Sequence, residues 1–402
     1  MASEAYRESG VDLDRMDGLK ERIKGFAAST HGPEVLDNSG SFAGLYQLSG
    51  YREPVLVAST DGVGTKMKIA AQLGHFESVG QDLVTLNVND ILTRGAKPLF
   101  FLDYVAFSKL DPQRLDNLMR GITWGCREVG CALIGGETAM MPQVYSGDEM
   151  DLAGFVVGAV ERDQLLESKN VEAGDILVGV PSSGLHTNGF SLVRHVFNTD
   201  GDPNVLYRRF DELNHQLGEE LLVPHRSYYP LLEPVLGLVN GLAHITGGGL
   251  PGKLPAILPD DLAAEINSGS WPVLPIFKII QAEGGISDDE MYRVFNMGLG
   301  MVAVCPEANA AKVLEFLPDA VVIGKMVPRG DGEHHGPDHD GDQAQDAEVG
   351  DFPVGVVVAG QQTGHGRAEA DREEVERHHL RTERLGRQLG GDRQPDRREQ
   401  QL

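Results

Sequence analysis

Residues 59–66, Ser-Thr-Asp-Gly-Val-Gly-Thr-Lys, place an acid, two glycines and a lysine in one turn directly after the apolar run EPVLVA. Gly62 and Gly64 allow backbone angles closed to other residues, so N–H groups of the turn can converge on an anion. Lys66 carries a compact positive charge suited to phosphate. The spacing is not that of a P-loop, which needs GxxxxGK followed by Ser or Thr. Asp61 adds a different possibility. Mg²⁺ takes one or two carboxylates together with phosphate oxygens, so an acid beside a phosphate-friendly turn suggests a bridging Mg²⁺. Taken alone, the stretch also reads as a plain tight turn after a strand.

More polar groups sit where the pattern is otherwise apolar. GQDLVTLNVNDIL carries Asp82, Asn87, Asn89 and Asp90, FFLDY carries Asp103, and LIGGET ends in Glu137 and Thr138. Acids at the ends of apolar strands, each beside a glycine loop, suit a metal–polyphosphate site. Solvated strand ends and buried hydrogen-bonded pairs are the competing readings. In the second half, PSSGLHTNGFSLVRH crowds Ser182, Ser183, Gly184, His186, Thr187, Asn188 and Gly189 ahead of a helix. A helix start lined with small polar residues favours anions, and His186 is the group there that titrates near neutrality. An incidental histidine in a capping loop is the plainer alternative. Gly247, Gly248 and Gly249 in HITGGGLPGKLP imply backbone contact with a ligand, most naturally a phosphate. No GxSxG elbow, HExxH or CxxC occurs, so nucleophilic hydrolysis and zinc chemistry lack support.

The elements that must position these residues follow from periodicity. MDGLKERIKGFAAST reads as a helix, GSFAGLYQL as a loop entering a short strand, and PVLVAS as a strand. TKMKIAAQLG is a helix closed by Gly74, GQDLVTLNVNDILTRG a second helix, and LDPQRLDNLMRGITWGCREVG a third with Pro112 in its first turn. PLFFLDYVAF, CALIGGE and LAGFVVGAVE are strands. A second unit opens at VEAGDILVGVPSSG, with helices GFSLVRHVF, LGEELLVP and EANAAKVLEFL and strands LAAEIN, GLGMVAVC and AVVIGKM. Strands and helices mix throughout, an α+β pattern. The expected division is residues 1–165, 166–330 and a tail, 331–402. The tail is acidic, then rich in Arg and Glu, and too poor in large apolar residues to offset its ordering entropy. One apolar island in it, FPVGVVVAG, can add a strand. The cluster His334, His335 and His339 reads as solvated tail rather than as a metal site.

Composition narrows the class. The chain has 402 residues, 41% hydrophobic and 24% charged, with a formal net charge of −25. Two ordinary domains fit that length. The charge argues against a nucleic-acid or membrane-surface binder, which would show a basic face. Cys126, Cys131 and Cys305 make no disulfide framework or metal spacing. The N-terminal stretch lacks the apolar core of a signal peptide, and no apolar run approaches the ~18 residues that span a bilayer. A soluble cytoplasmic protein is expected.

Taken together, STDGVGTK, LNVNDIL, GAKPLFFLDY, LIGGETAMMP, PSSGLHTNGFSLVR, HITGGG and MYRVFNMGLGM resemble the phosphoribosylformylglycinamidine cyclo-ligase (AIR synthetase) family. The similarity runs from YRESGVDLD to VVIGKM. The wider superfamily includes selenophosphate synthetase, thiamine-monophosphate kinase and FGAM synthetase, but GVDLD, PEVL, FFLDY, GGETAMMP and SSGLHTNG in combination are more specific to the cyclo-ligase. The resemblance implies a two-domain α+β fold, with an N-terminal mixed-sheet domain that pairs in a homodimer and a C-terminal α/β sandwich-like domain. It also implies a reaction: formylglycinamidine ribonucleotide (FGAM) plus ATP gives aminoimidazole ribonucleotide (AIR), ADP and phosphate.

Residue by residue, the resemblance implies that Asp61, Asp90 and Glu137 are the acids holding Mg²⁺ and ATP, with Asp82 and Asn87 as weaker members. Lys66 matches the motif lysine, with Gly62, Gly64, Thr65 and Thr138 around it, and Lys24 is similar to a nucleotide-proximal lysine. Gly40, Phe42 and Gly44 align with a glycine-rich segment over the nucleotide. Ser183, His186, Asn188 and Gly247 to Gly249 would face the substrate or its phosphate, with His186 a candidate proton acceptor. Rival readings are another ATP-dependent phosphotransferase of the superfamily and a degenerate nucleotide-binding copy. A selenophosphate synthetase would carry an early reactive Cys, and none precedes Cys126.

Overall fold

The computed structural model describes residues 13–36, 43–109, 111–142, 144–147, 149–329 and 356–359. Gly40, Phe42 and the tail, apart from 356–359, lie outside the described residues, as does the His334, His335 and His339 cluster.

The first half is a four-stranded sheet in the order β1-β4-β2-β3, built from β1 (Pro54–Gly62), β2 (Lys97–Phe107), β3 (Ala132–Met140) and β4 (Met150–Glu161). β4 pairs antiparallel with β1 and β2, while β2 and β3 run parallel. Its helices are α1 (Leu13–Ala28), α2 (Lys66–Leu73), α3 (Glu77–Leu92) and α4 (Pro112–Glu128). Gly74 closes α2 in the left-handed region, as its sequence position predicts. Asp111 caps α4 by accepting from the N–H groups of Gln113 and Arg114, with Pro112 in the first turn. α3 is buried nearly all round, which requires neighbours on every side. At its crossing with α4 the backbones almost touch: a Cβ on Gly121 would overlap the Glu77 carbonyl, and one on Gly80 the Leu118 carbonyl.

The second half is a six-stranded antiparallel sheet, β10-β7-β9-β5-β8-β6. Its strands are β5 (Ile176–Pro181), β6 (Gly241–His244), β7 (Leu262–Ile266), β8 (Leu299–Cys305), β9 (Val321–Pro328) and β10 (Val356–Ala359). β10 lies in the FPVGVVVAG island and adds an edge strand beside β7. α5 (Phe190–Val196) follows the Ser/His/Asn-rich loop. One apolar core includes Leu83 and Phe101 of the first half with Val178 and Phe277 of the second; a smaller one, around Leu177, Ile245, Trp271 and Ile323, belongs to the second half alone.

The expected short strand at GSFAGLYQL is only an isolated bridge between Tyr46 and Val35. β6 was not expected: four residues are too few to carry a period.

Candidate active site

Asp61 lies next to the end of β1 and Asp90 sits in the last turn of α3. Ser59, two residues before Asp61 and so on the same face of β1, donates to Asp90 Oδ2 at 3.0 Å. Asn87 Nδ2 donates to the Asp61 carbonyl at 3.3 Å and to Leu83 O at 2.8 Å, pinning the end of β1 to α3. The two carboxyls differ electrostatically. Burial raises Asp61 above the usual carboxylate range; the Gly62 N–H opposes this and the Asp90 charge adds to it. Burial would raise Asp90 too, but hydrogen bonds from His244 and Ser59 and the Lys253 charge outweigh it and hold Asp90 below 3.8.

His244 Nδ1 lies 2.8 Å from Asp90 Oδ1. An ionised carboxylate only accepts, so Nδ1 of His244 donates. Its Nε2 meets His225 Nε2 at 3.1 Å, and the His225 ring stacks on His186 with centroids 3.9 Å apart. Burial pushes both His186 and His225 well below the usual imidazole pKa, so both are neutral at neutral pH. His186 Nε2 accepts the Ser183 N–H at 3.2 Å, which places its proton on Nδ1; that buried atom has no partner among the described residues. Three histidines from separate segments of the second half thus run inward from Asp90.

Lys66 opens α2 but points inward. Its ammonium is fully buried, 2.6 Å from Asp82 Oδ2, 3.0 Å from the His186 carbonyl and 2.9 Å from the Val223 carbonyl. Asp82, equally buried, accepts the His225 N–H at 2.6 Å through Oδ1. Beside this knot, Asn89 accepts from Tyr228 N and donates to Arg226 O, each at 3.0 Å. Thr65 Oγ1 meets Ser191 Oγ at 3.2 Å.

The glycines of the second half are placed by sterics. Gly248 and Gly249 have φ of 97° and 60°, and a Cβ on Gly249 would overlap the Tyr292 carbonyl. A Cβ on Gly247 would meet Asn188 Oδ1 at 3.3 Å, so HTNG and TGGG lie side by side. His186 itself has φ 61°, the left-handed region, uncommon for a residue with a Cβ.

Two domain models match: AIR synthase related protein, N-terminal domain, over residues 41–160, and the corresponding C-terminal domain over 172–336. A phosphoribosylformylglycinamidine cyclo-ligase from Geobacillus thermodenitrificans (strain NG80-2) is 48% identical over 332 residues, 80% of this chain and 95% of that protein. The chain belongs to the phosphoribosylformylglycinamidine cyclo-ligase family. The cyclo-ligase of Sorangium cellulosum (strain So ce56) is 49% identical over 338 residues, 82% of this chain and 97% of that protein. Among solved structures, the hydrogenase maturation protein HypE in complex with ATP aligns with a TM-score of 0.56 at 18% identity, covering 78% of this chain and 87% of that one. Thiamine-monophosphate kinase from Stenotrophomonas maltophilia K279a does so with the same TM-score and identity, covering 78% and 96%. At that identity these two speak for the fold, which is the AIR-synthetase-like α+β fold.

Against the expectations for a cyclo-ligase site, the chain gathers some residues and separates others. Asp61, Asp90, Gly62 and Gly64 share one end of β1 and α3. Glu137 does not join them. The register aligns Asp61, Gly154, Asp103 and Gly136 in one row and Gly62, Ala153, Tyr104 and Glu137 in the next. Neighbouring rows point to opposite faces, so Glu137 and Asp61 lie on opposite sides of the sheet. No group of three acids, His or Cys able to hold a metal exists among the described residues. Asp82, Asn87 and Lys66 are internal, joined to protein atoms rather than open to ligand. Lys24 is exposed and pairs with Glu21 at 2.6 Å. Gly44 lies against the Ile134 carbonyl of β3, where a Cβ would come within 2.6 Å. Thr138 is half-buried on β3, and Ser183 donates to Pro224 O at 2.6 Å. The sequence does not mark His225, His244 or Lys253 as site residues: HITGGG and LPGK contain two of them, but no fixed spacing links them to Asp90.

Proposed function

We propose that the chain catalyses ATP-dependent ring closure of FGAM to AIR, with release of ADP and phosphate, in purine biosynthesis. The observation that carries this is identity of 48–49% over 95–97% of the length of cyclo-ligases. The chemistry fits the site. An amide oxygen leaves poorly, and phosphorylation makes it a leaving group. The amidine nitrogen then attacks the same carbon, closes the ring and expels phosphate. Such a transfer needs positioning and charge neutralisation more than a protein nucleophile.

Asp61 and Asp90 fit the donor set of a Mg²⁺–phosphate complex: two carboxylates on one face, with Asp61 partly desolvated by burial and raised further by the Asp90 charge. Mg²⁺ bound there would offset charge on the phosphoryl group. His244 and Ser59 fix the Asp90 carboxylate in place. Asn188 and Gly247 to Gly249 form the side that faces substrate, and Lys253 brings a positive charge towards both acids. His186, buried and neutral, supports the loop from below; Lys24 and Gly44 border the nucleotide side.

The coarser organisation follows. Residues 1–165 act as the nucleotide-binding, dimer-forming domain and 166–330 as its companion. The outer face of the first sheet leaves Leu56 62% and Phe155 42% exposed, the kind of patch that a second copy covers. Among the described residues no helix is long and apolar enough to cross a membrane, and the reading is of a cytoplasmic homodimer. The deciding assay follows ADP release from ATP and Mg²⁺ with and without FGAM. Release that is indifferent to FGAM, or that yields no imidazole product, defeats the proposal.

A further inference from the structure

The lysine of the DGVGTK motif, which its composition marks as a phosphate ligand, is occupied elsewhere. An ammonium has three N–H donors and no acceptor. Lys66 donates to the His186 and Val223 carbonyls, at 3.0 and 2.9 Å, and pairs as a charge with Asp82 Oδ2 at 2.6 Å. Its side chain is fully buried, and its charge lies 5.6 Å from the centroid of the Phe190 ring, where the helix after the loop begins. Enclosed by these partners at 0% exposure, the ammonium is not open to a phosphate, and withdrawing Lys66 would leave Asp82 a buried, uncompensated carboxylate.

The partners say what the lysine does instead. Lys66 and Asp82 belong to the first half; His186, Val223 and His225 belong to the second. The carbonyl that Lys66 grips is that of His186, the loop residue whose backbone is left-handed. Two residues on, Asn188 lies against Gly247. The Thr65–Ser191 hydrogen bond ties down the far end of the same loop.

We propose that Lys66 is a positioning residue: it clamps the 182–189 loop to the first half in the left-handed conformation that sets Asn188 beside the triple glycine. The proposal rests on the reading of that loop as substrate-facing. It takes Lys66 out of nucleotide binding and makes it a determinant of FGAM affinity.

The test compares Lys66→Met, and Lys66→Met with Asp82→Asn so that no lone buried charge remains, with the parent chain. Hydrogen exchange of amides 183–189, FGAM KM and kcat, and binding of Mg²⁺ with a non-hydrolysable ATP analogue are measured together. Expected is faster exchange confined to the loop, an FGAM KM raised about tenfold or more, and analogue affinity within about twofold of the parent. Loss of analogue affinity with loop exchange unchanged overturns the clamp, as does exchange that rises uniformly across the chain. Faster loop exchange with FGAM KM unchanged upholds the clamp and overturns the substrate-facing reading. If the variants fail to fold, amine acylation of the parent chain decides. Lys66 should label far more slowly than exposed Lys68 with or without ATP, and labelling of Lys66 that ATP blocks would overturn the clamp.

Discussion

Asp90 and Asp82 sit on one helix, eight positions apart, yet they end in opposite environments. Asp90 keeps 38% of its side chain exposed and is met by a histidine and a serine; Asp82 keeps none and is met by a lysine and a backbone N–H. The first arrangement leaves oxygen lone pairs turned outward, which suits a cation arriving with phosphate. The second is closed, and its charges bind the two halves of the chain to each other. Residue type alone does not separate a ligand from a rivet. The helix phase does, through what each turn of α3 faces.

Breaking the closed pair should cost most. Asp82→Ala leaves Lys66 buried without its counter-charge and should lower the unfolding free energy by about 3–5 kcal/mol in a denaturant titration. A loss under about 1 kcal/mol would mean that the pair is solvated in practice. Next comes Asp90→Asn, expected to reduce kcat/KM by about 10²–10³-fold while the melting temperature barely moves. A variant that lost stability and activity together would erase the contrast. Asp61→Asn should cost less, about tenfold in kcat/KM at saturating FGAM, with the deficit partly recovered at high Mg²⁺. The smallest effect concerns acid stability. Asp90 titrates below its ordinary value of 3.8, so its contribution is complete above that value and disappears as pH falls through the lowered one. Melting curves at a series of pH values below neutrality should show Asp90→Asn with a shallower acid-side decline than the parent, and parallel curves would count against the His244–Asp90 bond.

Much of the first half is legible in the sequence because its signals are local. Gly74 ends α2, Asp111 and Pro112 start α4, and strong apolar runs mark β2 and β4. Asp61 and Asp90 are legible as candidate ligands because each stands at the end of an apolar element. Glu137 parts from Asp61 for a reason of period two. One position along β3 separates the faces of the sheet, and only the register across β4 and β2 shows which face it occupies. The burial of Lys66 is not legible because depth has no local signature. His225 and His244 escape notice because the bonds from Asp90 to His244 and on to His225 join segments far apart in sequence. Asp103 is a further case. It reads as a strand-end acid, but it is buried in the row beside Gly136, and desolvation lifts its carboxyl to about 7.

The pairing of β10 with β7 has a consequence for how the protein keeps to itself. A sheet margin with free N–H and C=O groups is a template for strangers, and β7 would be such a margin if Val356–Ala359 were not hydrogen-bonded along it. A four-residue piece of an otherwise polar segment therefore serves as a selvedge, finishing the second sheet so that it does not knit to its neighbours.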